Sequence, residues 1–118
     1  MKQTENEVKK ALKEWLEWQG WTVYRINNAG VFRGYNKKGE KRFSFDGDLG
    51  VADFFCAKEG FDSFWVETKA TDKKPSESQE DFILMVNNSS NGIAFWADSL
   101  DMFIGKFNEI HGKGKGNA

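Results

Sequence analysis

Two short apolar runs joined by a loop too short to hold a helix constrain this chain most. Gly50-Val-Ala-Asp53-Phe-Phe-Cys56 is followed, after a loop from Lys58 to Ser63, by Phe64-Trp-Val-Glu67-Thr-Lys69. Parallel neighbours need a crossover of a dozen or more residues. The connection between Asp53 and Lys69 is shorter than a helical crossover, so a mixed sheet is expected rather than a parallel one. Strand side chains alternate faces, which points Glu67 and Lys69 one way and Phe64, Val66 and Thr68 the other. If the runs are neighbouring strands, Asp53 and Glu67 converge at one end of the sheet with an ammonium beside them. Two hard carboxylates on rigid strands suit Mg2+ or Mn2+. A lysine beside a metal-bound water can orient it and stabilise charge developing on a phosphorus oxygen. Charged residues at strand ends ordinarily just face water. The coincidence that favours a site is three groups of suitable type, compatibly spaced, in strands otherwise built to be buried.

A length of 118 residues fits one domain, expected over residues 1–111, with a flexible Gly/Lys tail over 112–118. Cys56 stands alone in an apolar run, which excludes a disulfide framework and predicts a buried thiol in a reducing compartment. The first residues lack the apolar stretch of a signal peptide, and no apolar run approaches a membrane span. A soluble, cytoplasmic protein is expected. The net charge of −1 is not the footprint of a generic nucleic-acid binder. Its distribution is uneven. Lys37, Lys38, Lys41 and Arg42 form one basic cluster, and Lys69, Lys73 and Lys74 another. Acidic residues concentrate between Asp46 and Glu67. An ordinary solvated surface can cluster its charges in the same way.

Taken in order, Thr4 to Trp18 reads as a helix, with Val8, Leu12, Trp15, Leu16 and Gln19 on one stripe. Thr4-x-x-Glu7 is a capping box and Gly20 a stop. Thr22 to Ile26 is a short strand, and Asn27-Asn28-Ala-Gly30 a turn. Val31 to Tyr35 and Arg42 to Phe45 are expected to form a hairpin tipped by Asn36-Lys-Lys-Gly-Glu40, whose basic tip suits phosphate contact. Asp46 to Gly50 turns into the strand carrying Asp53. Pro75 precedes a second helix, capped by Ser76 with Gln79 at its third position; Gln79, Phe82, Ile83 and Val86 share a face. Ile93 to Ala97 is a last buried strand. Asp98 or Ser99 caps a final helix with Leu100, Phe103, Ile104 and Phe107 inward, and His111 is expected to be solvated. The order α-β-β-β-β-β-α-β-α predicts an α/β layered fold, a central mixed sheet flanked by helices.

At these residues the sequence resembles the virus-type replication-repair nuclease (VRR-NUC) family of the PD-(D/E)xK nuclease superfamily. The matching pieces run in order from Glu7 to about Ala97. They are Glu7, Asn28-Ala-Gly30 with Arg33, Gly50-Val-Ala-Asp53, Glu67-Thr-Lys69 and Ser76-x-x-Gln79. Ala52 stands where the superfamily name puts proline. The resemblance implies a restriction-endonuclease-like fold and metal-dependent hydrolysis of DNA phosphodiesters. By it, Asp53 and Glu67 bind Mg2+ or Mn2+, with the Thr68 backbone carbonyl as a further ligand. Lys69 positions or activates the attacking water, and Glu7 reaches the metal directly or through water. Gln79 orients substrate or Lys69, and Arg33 contacts DNA. Small free-standing members resemble Holliday junction resolvases, which implies a homodimer acting on branched DNA. Glu7 and Gln79 are each also fully accounted for as the third residue of a capping box. A nuclease for flaps, ends or plain duplex, a non-catalytic DNA-binding module, and a small-ligand or protein-interaction domain remain as alternatives.

Overall fold

Thr4 starts the first helix as the spacing predicts. Its hydroxyl accepts from the Glu7 N–H while the Glu7 carboxylate accepts from the Thr4 N–H, satisfying two backbone donors that the first turn leaves open. The computed structural model describes residues 2–26, 31–44 and 50–112, with only the backbone of 31–34 and 41–44. Helix α1 spans Glu5–Trp18 and buries Val8, Leu12 and Leu16 completely. Gly20, at φ +89°, then folds the chain back so that the Trp21 N–H reaches the Leu16 carbonyl.

The remaining elements are β1 (Thr22–Arg25), β2 (Val31–Tyr35), β3 (Lys41–Ser44), β4 (Phe54–Ala57), β5 (Phe64–Thr68), α2 (Glu77–Asn87), β6 (Ala94–Ala97) and α3 (Leu100–His111). Strands β1, β4, β5 and β6 form one sheet in that spatial order. The first two pairings are antiparallel and β5–β6 is parallel, its crossover made by α2. The sheet is therefore mixed, for the reason the short β4–β5 loop dictates. Strands β2 and β3 pair with each other as a separate antiparallel hairpin. At its tip the Asn36 side chain accepts from the Lys38 and Glu40 N–H groups, each at 2.9 Å. The Asn28-Ala-Gly30 motif, Phe45, the turn from Asp46 to Leu49 and the tail beyond Gly112 lie outside the described residues.

Alternation in the central strands sorts the core. Phe54, Cys56, Phe64 and Val66 face α1 and α3 and are buried with Val8, Leu12, Leu16 and Phe103. Trp15 packs edge-on against Phe103 and Phe107. On the other face Phe55 meets Trp65, and Trp65 meets Phe82 of α2 at 5.4 Å between ring centroids. Burial pushes the Cys56 thiol up to about 12, so it is an inert core group. Among the described residues no helix is long and apolar enough to cross a membrane.

His111 departs from expectation. It is 6% exposed, and its ring lies 4.5 Å from that of Phe107 and 5.0 Å from that of Trp21. Helix α3 runs through His111, which puts it four residues beyond Phe107 and eight beyond Phe103. The inward stripe thus continues one turn beyond Phe107.

Candidate functional site

The register of β4 against β5 sets the site. Phe54 lies opposite Val66, so Asp53, one residue ahead of β4, comes alongside the end of β5. The Thr68 N–H and hydroxyl both donate to Asp53 Oδ2, at 2.9 and 2.6 Å. Both groups are buried, so these bonds fix the carboxylate and leave its Oδ1 pointing toward α1. The loop before Asp53 rests on the first turn of α2. Gly50 has φ +87°, and a Cβ there would collide with the Ser78 carbonyl. Only glycine serves both conditions.

Glu67 faces α2, as does Lys69 just beyond the strand, and Gln79 joins them. Gln79 Nε2 donates to Glu67 Oε2 at 2.7 Å, while Gln79 Oε1 accepts from the Ser76 N–H at 2.8 Å and from Lys69 Nζ at 3.3 Å. A backbone N–H and an ammonium can only donate, so the orientation of the amide is forced. Gln79 therefore caps α2 and links Glu67 to Lys69 at once.

Two residues that sequence reasoning missed complete the cluster. Glu5 Oε2 lies 3.2 Å from Lys9 Nζ, and Glu5 Oε1 lies 3.8 Å from Lys69 Nζ. Lys9 Nζ is also 3.6 Å from Asp53 Oδ1. Glu7, the α1 acid expected here, is not brought to the cluster. It is exposed and committed to the Thr4 cap, whose N–H and hydroxyl hold its carboxyl below the usual range. The signal for Glu5 was present as an i, i+4 Glu–Lys pair beside the apolar stripe.

Electrostatically the site is strained in one place. Glu67 is 2% exposed and its Oε1 is buried with no hydrogen-bond partner among the described residues. Burial and then the nearby Asp53 charge push its carboxyl up to about 8, against the opposing pull of Lys69. An orphaned buried acceptor beside a second carboxylate fits a hard cation, since both residues offer oxygen. Asp53 would contribute Oδ1 by releasing Lys9. Among the described residues, no three His, Cys, Asp or Glu side chains gather as ligands for one ion. A cation here would rest on Asp53, Glu67, main-chain carbonyl oxygen such as that of Thr68, and water.

Lys37 and Lys38 are exposed at the hairpin tip, and Lys73 and Lys74 on the loop before α2. Arg33, Lys41 and Arg42 lie in β2 and β3, with side chains outside the description. The chain matches no protein-family model, no curated protein and no solved structure.

Proposed function

We propose that the chain is a Mg2+- or Mn2+-dependent DNA endonuclease that hydrolyses phosphodiester bonds, with branched DNA such as a Holliday junction as substrate. The observation that carries the reading is the convergence of Asp53, Glu67 and Lys69 at one sheet end, Glu67 and Lys69 joined through Gln79 and Asp53 held by Thr68, with a buried carboxylate oxygen of Glu67 that has no hydrogen-bond partner among the described residues. That is the chemistry and chain order of the PD-(D/E)xK nucleases, and the four-stranded mixed sheet suits a restriction-endonuclease-like fold. Asp53 and Glu67 would hold the ion, with the Thr68 carbonyl. The ion supplies Lewis acidity toward a phosphoryl oxygen and toward water.

The chain's own groups divide the remaining work. Lys69 is held at 3.3 Å from Gln79 Oε1 and 3.8 Å from Glu5, which aims its ammonium across the acidic cluster. From there it orients the attacking water and stabilises charge that grows on the phosphoryl oxygens. Gln79 is a positioning residue, acting through Glu67 and Lys69. Glu5 takes the α1 position that the resemblance would give to Glu7. A homodimer would let two such sites incise a symmetric junction. Leu84 and Met85, adjacent and exposed on α2, support an interface between copies. Light scattering should then report twice the chain mass of 13.5 kDa; a monomer that makes paired junction cuts would count against it.

The test of function is incubation with labelled four-way junction, flap, nicked and plain duplex DNA, each in Mg2+, Mn2+ or EDTA. Cleavage in either metal, lost in EDTA and strongest on the junction, is expected. No metal-dependent cleavage of any of them would end the nuclease reading. Cleavage of flaps or duplex in preference to the junction would correct the substrate alone.

A further inference from the structure

A groove runs beside the acidic cluster that none of the expected DNA contacts accounts for. It holds about 540 Å3 between α1 and β1 and is lined by Asn6, Lys9, Lys10, Lys13, Arg25 and Phe54. The four helix residues fall at i, i+3, i+4 and i+7, which puts them on one face of α1. Arg25 stands opposite Phe54 in the β1–β4 pairing, so its guanidinium enters from the facing wall. Among the described residues the lining carries four cations and no acid, in a chain whose net charge is −1. The lysines among them are ion-paired with acids that stand outside the lining, and an incoming phosphate can take the place of those acids.

The groove also leads somewhere. Its floor residue, Phe54, directly follows Asp53, and its Lys9 ammonium lies 3.6 Å from Asp53 Oδ1. We propose that this groove is a binding track for the DNA backbone, in which Lys10, Lys13 and Arg25 take successive phosphates and lead one strand past Lys9 to the carboxylates. The inference rests on the nuclease reading for its ligand, though not for its geometry. Lys10 and Lys13 are paired with Glu14 and Glu17, at 4.0 and 3.4 Å, across the open helix surface. Such exposed pairs contribute little and exchange readily for a phosphate. Arg25 adds a planar fork that suits phosphate oxygens. Lys9 has a separate part: it neutralises Asp53 and Glu5 until substrate and ion arrive.

The experiment measures junction affinity by fluorescence anisotropy from low to high salt, with Ca2+ in place of Mg2+. It compares wild type with the triple variant Lys10→Gln, Lys13→Gln, Arg25→Gln. Lys9 stays intact because it touches Asp53. Neutralising three phosphate contacts should make the dependence of log K on log salt shallower by about 2 to 3, near 0.9 per contact, with affinity at least about tenfold weaker near physiological salt. The charge-keeping variant Lys10→Arg, Lys13→Arg, Arg25→Lys should retain the wild-type slope, and a thermal melt establishes that each variant is folded. A triple glutamine variant that keeps the wild-type slope, or loses affinity with the slope unchanged, overturns the track. Wild-type cleavage in Mg2+ separates the two ideas. If wild type cleaves and the slope does not change, only the groove is wrong. If the slope falls in the variant but wild type never cleaves, only the nuclease reading is wrong. If wild type neither binds nor cleaves, both fall.

Discussion

Glu67→Gln tests the site without requiring any substrate. The Glu67 carboxyl is raised to about 8 from an ordinary 4.5. Because the folded value is the higher one, the native protein keeps a proton on Glu67 that the unfolded chain has released. Stability is therefore present in full below about pH 4.5 and is lost as pH rises through about 8. At about 1.4 kcal/mol per pH unit, a rise of this size is worth several kcal/mol. That is a large share of the stability of a domain this size. Glutamine keeps the shape and can still accept from Gln79 Nε2, but it does not titrate. Urea denaturation in EDTA at pH 5 and pH 9 gives four stabilities. Every other titrating group is common to the two proteins, so the difference between their pH responses isolates Glu67. Wild type should lose several kcal/mol more than the variant between the two pH values. At pH 9 the variant should be the more stable protein, and addition of Mg2+ should stabilise wild type more than it does the variant. Equal pH responses would show that Glu67 titrates as an ordinary carboxylate, and the account of the buried cluster would be wrong.

Lys69→Ala should lower the single-turnover cleavage rate by about 10²-fold, the scale for one preorganised electrostatic group. Junction affinity should change far less, and a wild-type rate at saturating protein would reduce Lys69 to a phosphate contact. Glu7→Ala should lower the melting temperature through loss of the α1 cap and leave the cleavage rate near wild type. Glu5→Ala should slow cleavage instead; the opposite pattern would restore Glu7 to the site. Gly50→Ala should destabilise by about 1 to 3 kcal/mol, because it combines a left-handed φ with a collision against α2. An unchanged urea midpoint would refute that close approach.

Much of this was legible in local pattern. Capping boxes, stripes of period 3.6 and alternation of period two gave three helices and a mixed sheet, because these signals act between residues a few positions apart. The convergence of Asp53 with Glu67 was legible too, since the short β4–β5 loop leaves antiparallel pairing as the route between them. The identity of the acid on α1 was not. Measured around the helix from Val8 at 100° per residue, Glu5 falls at about +60° and Lys9 at about +100°, while Glu7 falls at about −100°. Either flank could have faced the sheet end. The sequence motif favoured Glu7, and the way α1 lies across β1 and β5 selected Glu5 and Lys9. The basic groove has the same origin. Lys10, Lys13 and Arg25 are unremarkable along the chain and gather only because α1 packs beside β1. Burial of Glu67 and His111 was likewise decided by tertiary packing, which sets how much water reaches a side chain. The sequence by itself determined which groups the strands and helices carry; the packing of α1 and α2 on the sheet decided which of them meet.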